Sequence, residues 1–214
     1  MFCGRRCDQA RAKTRRAERV ADVRIIVGKR GSGKSCKLRD MIRPEPRVLL
    51  YDTLHEKTFD EFTRIDKFDA LCKLLLSNPP IFRVAFTWDG VAEPDVDFDR
   101  VCRAVYACQN LVFAVEEVDQ FTSPSFIPRD LRKIVSLGRH RELSVWVASR
   151  RPKEIHPLIR SQCNMVVTFT QHEQADIDWL RQAIGDQALT AKDLPWHESI
   201  TWTDQAQAPE PKEA

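Results

Sequence analysis

The feature that most constrains this chain is the stretch Gly28-Lys29-Arg30-Gly31-Ser32-Gly33-Lys34-Ser35, which follows directly on Val23-Arg24-Ile25-Ile26-Val27. The β-branched run predicts a strand, and Cys36 to Ile42 predicts a helix, so the G-x-x-x-x-G-K-[ST] spacing falls at a strand-to-helix turn. A loop of this kind must aim its backbone N–H groups inward around an anion, where side chains would obstruct them. Three of the chain's seven glycines stand here. The helix N-terminus adds partial positive charge at the same place. Residues Gly28 through Cys36 (Gly28, Lys29, Arg30, Gly31, Ser32, Gly33, Lys34, Ser35 and Cys36) are therefore expected to cradle the phosphates of a nucleoside triphosphate, ATP. Lys34 is expected to reach the β- and γ-phosphates, and the Ser35 hydroxyl to hold Mg²⁺.

The rest of the chain alternates short apolar runs with helical patterns. Strands are predicted at 47–51, 81–86, 111–115, 143–148 and 165–169, with a short edge strand at 199–202. Helices are predicted at 67–77, 98–108, 129–137 (closing at Gly138) and 173–184, and 88–96 reads as a loop. Leu111-Val112-Phe113-Ala114-Val115 is continuously apolar, the mark of a strand covered on both faces. Strand–helix alternation over 214 residues predicts one α/β domain with a mainly parallel central sheet flanked by helices on both faces. Its expected limits are 23–203, between a basic arm (1–22) and a polar, proline-containing tail (204–214). The arm carries Arg5, Arg6, Arg11, Lys13, Arg15, Arg16 and Arg19 against Asp8, Glu18 and Asp22. It reads either as a solvated segment or as a contact for nucleic-acid phosphates or another subunit. The whole-chain net charge of +3 is too mild to imply nucleic acid by itself. No apolar run has the length of a membrane span. The seven cysteines are scattered and odd in number, as reduced intracellular thiols would be, and Cys3 and Cys7 lack a second pair to complete a zinc site.

In a parallel sheet the ligand lies beyond the C-terminal ends of the strands. Each predicted strand delivers a polar group there: the phosphate loop, Asp52, Glu116 with Glu117, and Ser149. An apolar strand ending in two carboxylates is the Walker B arrangement. Glu116 is expected to hold Mg²⁺ and Glu117 to orient and polarise an attacking water, a role Asp119 could share. Two adjacent acids favour hydrolysis over phosphoryl transfer to a small molecule, since a kinase must keep water from the γ-phosphate. Gly138-Arg139-His140-Arg141 precedes the 143–148 strand, and Ser149-Arg150-Arg151-Pro152 follows it. An arginine supplied by a neighbouring subunit stabilises transition-state charge; Arg139 is the first candidate and Arg141 the second.

These residues carry a family resemblance. Gly138-Arg139-His140, Ala148-Ser149-Arg150-Arg151-Pro152, the run Ile155 to Asn164 and the closing Val166-Val167-Thr168-Phe169 resemble the HerA/FtsK superfamily of DNA-pumping ATPases. The likeness spans about residues 22–185 in the family's order. It implies a RecA-like P-loop fold with the phosphate loop, Asp52, Glu116 with Glu117, and a sensor position. Ser149 stands where the family carries a sensor glutamine. Small members without extra domains look most like the genome-packaging ATPases of tailless double-stranded DNA viruses; the assembly ATPases of filamentous phages are similar too. The resemblance implies an ATP-hydrolysing ring, pentameric or hexameric, that moves double-stranded DNA irrespective of sequence, works with capsid or portal-vertex proteins, and resides in the virion or the host cytoplasm. The alternatives are a nucleotide-dependent switch or assembly factor that moves no DNA, and a small-molecule kinase, for which no acceptor-binding lid is evident.

Overall fold

The computed structural model describes residues 21–87 and 93–204. The predicted arm and tail, together with Cys3 and Cys7, lie almost wholly outside them. Strands β1 (Val23–Val27), β2 (Arg47–Tyr51), β3 (Thr63–Ile65), β4 (Phe82–Phe86), β5 (Leu111–Val115), β6 (Leu143–Ser149), β7 (Met165–Thr168) and β8 (Ile200–Thr203) form one sheet in the order β3-β4-β2-β5-β6-β1-β7-β8. All pairings are parallel except β7 with β8. The helices are α1 (Lys34–Ile42), α2 (Phe68–Ser77), α3 (Pro94–Tyr106), α4 (Arg129–Leu137), α5 (Pro157–Ser161) and α6 (Gln174–Ile184).

Helices cover both faces, but unequally. Strand side chains alternate between faces with a period of two. Ile25, Leu49, Tyr51, Phe113 and Val145 therefore share one core with Leu71 and Leu75 of α2, Phe98 and Val101 of α3, Leu131 and Ile134 of α4, and Ile177 and Leu180 of α6. Their neighbours Ile26, Val48, Leu50, Val112, Ala114 and Trp146 form a second core with Leu38 and Ile42 of α1 and with Phe59 and Phe62. One helix, α1, and the turn carrying Phe59 thus close the second face. Each fully buried aliphatic side chain contributes about 1.5–3 kcal/mol, so the two cores together hold the sheet rigid beneath whatever its edge carries.

Three details depart from the sequence expectation. Helix α3 begins at Pro94 rather than Phe98, because proline fits the first helical turn, where no N–H is needed. Strand β3 is unexpected: it is only three residues long, Thr63-Arg64-Ile65, and its pairing is with β4. Gly138 caps α4 as expected, but in the right-handed region rather than the left-handed one common for glycine at such caps. Its φ is −59°, a short 3-10 turn follows it, and Glu142 takes the left-handed conformation (φ 56°) instead. Glycine stands at 138 because a Cβ there would lie 3.2 Å from the Leu143 Cβ and 3.3 Å from the Leu143 carbonyl.

Strand order decides what meets at the C-terminal edge. β6 inserts between β1, which leads into the phosphate loop, and β5, which leads into the two glutamates. Val27 stands opposite Ser149, Val115 opposite Val147, and Tyr51 opposite Val115. Along β6, β5 ends two residues before β1, so Glu116 and Glu117 continue toward the rim where the phosphate loop begins.

Candidate active site

The phosphate loop leaves β1 at Gly28, whose N–H donates to the Ser149 carbonyl at 3.3 Å. A Cβ at Gly28 would lie 2.6 Å from both the Phe169 Cβ and the Ser32 Oγ, so no larger residue fits there. Gly31 and Gly33 hold φ values of 76° and 103°, conformations that side chains rarely adopt. The loop then enters α1, and Lys34 stands at the first helical position. Its ammonium group donates to the Lys29 carbonyl across the loop at 3.1 Å. Burial lowers the Lys34 pKa, opposed by the charges of Glu116, Glu117, Asp119 and Glu56. The Lys34 ammonium shares its cavity with Glu56, Glu116 and Glu117.

Glu116 follows β5, and its N–H donates to the Tyr51 carbonyl at 3.0 Å. The side chain is buried, and burial pushes its pKa up to about 7, although the Ser35 hydroxyl and Lys34 pull the other way. Its Oε1 has no hydrogen-bond partner among the described residues. An orphaned buried carboxylate oxygen is costly, and here it lies beside a hydroxyl, the hard oxygen-donor pair that suits Mg²⁺. Ser35 and Glu116 therefore fit a magnesium ion. Glu117 adopts the left-handed conformation (φ 47°), which turns its side chain away from the strand line. Its Oε2 accepts from the Gln120 amide at 2.5 Å, which fixes the carboxylate's orientation. Lys34, Ser35, Cys36, Glu116 and Glu117 line one cavity of about 270 Å³ with Arg30, Gly31 and Gly33, joined by Leu54, Glu56, Thr58 and His197.

The other expected residues are placed differently. Asp52 is fully buried at the end of β2, but Arg64 of β3 binds its Oδ2 at 2.6 Å and the Glu56 N–H binds its Oδ1 at 3.1 Å. The carboxylate that faces Lys34 from this side is Glu56. Ser149 is buried, and its hydroxyl donates to the Arg151 carbonyl (3.2 Å) while accepting from the Arg151 N–H (3.3 Å). The side chain facing the acids from that strand end is Arg150, which grips Asp119 Oδ2 through Nε (3.0 Å) and Nη2 (2.8 Å). Arg150 engages one Asp119 oxygen only, and the other, Oδ1, is buried with no hydrogen-bond partner among the described residues. Arg139 and Arg141 sit at the opposite end of the sheet. Arg139 lines a cavity with Asp22, Val23 and Asn164, beside the starts of β1 and β7. The Arg141 guanidinium lies 4.9 Å from the centre of the Tyr106 ring.

Sequence reading missed Glu56, Leu54, Thr58, His197 and the Asp52–Arg64 pair. The only signal for any of them was a single acid four residues beyond Asp52; His197 lies 165 residues from the Ser32 carbonyl that it meets.

No family model matches the chain. Protein P9 of Pseudoalteromonas phage PM2 is 29% identical over 145 residues, a stretch covering 65% of this chain and 64% of that relative's length. The genome-packaging NTPase B204 of Sulfolobus turreted icosahedral virus 2, solved with sulfate, superposes with a TM-score of 0.71 over 88% of this chain and 94% of B204, at 15% identity. The fold is a P-loop NTPase fold like that of B204. The same protein solved with AMPPCP gives a TM-score of 0.70 at 14% identity, over 87% of this chain and 94% of that one. EssC of Geobacillus thermodenitrificans (ATPases 2 and 3) follows at 0.56 and 12% identity, over 86% of this chain and 38% of EssC. Among the described residues, no helix is long and apolar enough to cross a membrane.

Proposed function

We propose that this chain is a magnesium-dependent ATPase that assembles into a ring, pentameric or hexameric, and drives double-stranded DNA into a viral capsid, in contact with capsid or portal-vertex proteins. The observation that carries the hydrolytic part is Glu116: a buried carboxylate with an unpartnered oxygen among the described residues, sharing one cavity with Lys34, Ser35 and Glu117. The packaging part is supported by the likeness to B204, which has been solved with AMP, AMPPCP and ATP-gammaS.

The chain's own residues divide the chemistry. Lys34 exchanges the Lys29 carbonyl for the β- and γ-phosphate oxygens, and the loop N–H groups hold the phosphates in line. Glu117, steadied by Gln120, orients the attacking water and accepts its proton. Ser35 and Glu116 would hold Mg²⁺, which when bound neutralises charge between the terminal phosphates. The insertion of β6 between the phosphate-loop strand and the acid strand supports the additional-catalytic-glutamate class. Ser149, turned into its own chain, acts through the loop carbonyl that Gly28 binds; Asp52 acts by fixing the Glu56 segment through Arg64. Arg139, exposed and far from its own phosphate loop, is the group offered to a neighbouring subunit, with Arg141 next.

The deciding experiment measures phosphate release with and without duplex DNA, alongside the particle mass with nucleotide and DNA. DNA-stimulated hydrolysis by a closed ring is expected. Hydrolysis by a monomer indifferent to DNA would replace the motor with the switch reading.

A further inference from the structure

The residues gathered so far serve the anionic end of a nucleotide. On the outer rim of the same loop stands a turn, Pro195-Trp196-His197-Glu198, closed by the Glu198 N–H on the Pro195 carbonyl at 3.0 Å. It is tied to the main sheet, because the Thr170 hydroxyl donates to the Leu194 carbonyl at 3.1 Å just beyond β7, the strand that pairs with β1. Its position relative to the phosphate loop is therefore set by the sheet.

Two aromatic rings project from this turn. The Trp196 indole approaches Gly31 edge-on, so that a Cβ on Gly31 would meet Cζ2 at 3.4 Å, yet the residue remains 59% exposed. The His197 ring lies 5.4 Å from the indole, centre to centre, with the planes inclined by 64°. Its Nδ1 stands 3.3 Å from the Ser32 carbonyl, and the same ring lines the phosphate cavity. His197 takes a φ of 70°, a left-handed conformation that is unfavourable for any residue with a Cβ. The surrounding contacts hold it there, with the ring against the loop. A lone exposed tryptophan needs no explanation. This one stands against Gly31 and beside His197, both of which line the phosphate cavity, while more than half of its surface stays open to solvent.

We propose that Trp196 is the base platform of this nucleotide site: its indole stacks on the nucleobase, while His197, tethered to Ser32, positions the indole against the loop. This rests on the nucleotide-binding reading above. Stacking needs only a π-face on the base, and it matches the chemistry of an exposed indole.

The test is calorimetric titration of the full chain, with magnesium, using ADP and inorganic tripolyphosphate as separate probes. Trp196→Ala should weaken ADP binding about tenfold and leave tripolyphosphate binding within about twofold, and Trp196→Phe should retain most of the ADP affinity. Unchanged ADP affinity in Trp196→Ala would overturn the proposal. So would a proportional loss for both probes, which would make the indole a support for the loop. A wild-type chain that binds neither probe would remove the nucleotide reading itself. A second readout avoids dependence on the alanine variant's folding. ADP, but not tripolyphosphate, should quench indole fluorescence, and the quench should disappear in Trp196→Phe; a persisting quench would sink the assignment.

Discussion

At the N-terminal ends of the strands, Arg47 is fully buried, and its guanidinium donates to the Asn110 carbonyl (3.0 Å), to Asn78 Oδ1 (2.7 Å) and to the Pro79 carbonyl. At the C-terminal ends, Glu116 is almost as deeply buried, at 3% exposure, and one of its oxygens has no partner among the described residues. Burial does not distinguish these two ends; satisfaction does. A buried ion whose hydrogen bonds are complete holds neighbouring strand starts together. A buried ion left incomplete costs stability and persists where a ligand supplies the missing partner.

The largest effects should appear at the incomplete end. Lys34→Ala should abolish measurable hydrolysis and weaken nucleotide binding without lowering the thermal unfolding midpoint. Glu117→Gln should cut turnover by about 10²–10⁴ while binding persists, since the amide keeps the size of the side chain but cannot take a proton. Phosphate release and calorimetry on the same samples check both, and near-normal turnover in Glu117→Gln would remove its assigned role.

Arg139 is the residue that could break the comparison, because it lies at the N-terminal end and is nevertheless proposed to act in chemistry. Arg139→Ala should lower turnover by about 10³ with nucleotide affinity nearly intact. Mixing it with Glu117→Gln should restore part of the activity, because mixed interfaces pair an intact Glu117 with an intact Arg139. Normal turnover in Arg139→Ala, together with a collapse in Arg150→Ala, would return all the chemistry to the C-terminal edge and assign it to the arginine that holds Asp119.

Arg47→Met should leave the activity of the folded protein unchanged and destabilise it by about 3–5 kcal/mol, since the carbonyls it satisfies would be left buried and unpaired. A shifted denaturant midpoint with an unchanged slope is the signature. A loss of nucleotide affinity instead would mean that the two ends are coupled.

The smallest effect concerns pH. Glu116 has its pKa raised to about 7 in the folded chain, against an ordinary value near 4.3 when unfolded. Between these values the folded state holds a proton that the unfolded state has lost. Stability without nucleotide and metal should therefore fall as pH rises from about 4.5 to 7, by on the order of 3 kcal/mol, and level off above. Glu116→Gln should flatten that part of the stability profile; an unchanged slope would mean that the carboxyl titrates normally.

Much of this molecule was legible beforehand because the relevant patterns are local. The strands containing Ile25, Leu49, Phe113 and Val145, the phosphate loop and the paired glutamates each occupy a few consecutive residues, as an apolar run or a fixed spacing. The short strand at Thr63–Ile65 was not legible, since three residues with one apolar side chain carry no periodic signal and gain their geometry from β4. The start of α3 at Pro94 was misplaced because proline, read as a breaker, is equally a helix starter.

By itself, then, the sequence determined that a strand-loop-helix unit would place Lys34 and Ser35 at the start of a helix, and that acids would follow an all-apolar strand. Only the tertiary structure decided which polar groups remain free to act. Arg64 takes Asp52 across 12 residues, Arg150 takes Asp119 across 31, and His197 reaches the Ser32 carbonyl across 165. The physical reason is range. Hydrophobic periodicity and loop spacing are written into covalent neighbours, whereas the satisfaction of a charge depends on which distant side chain the strand order brings within about 3 Å.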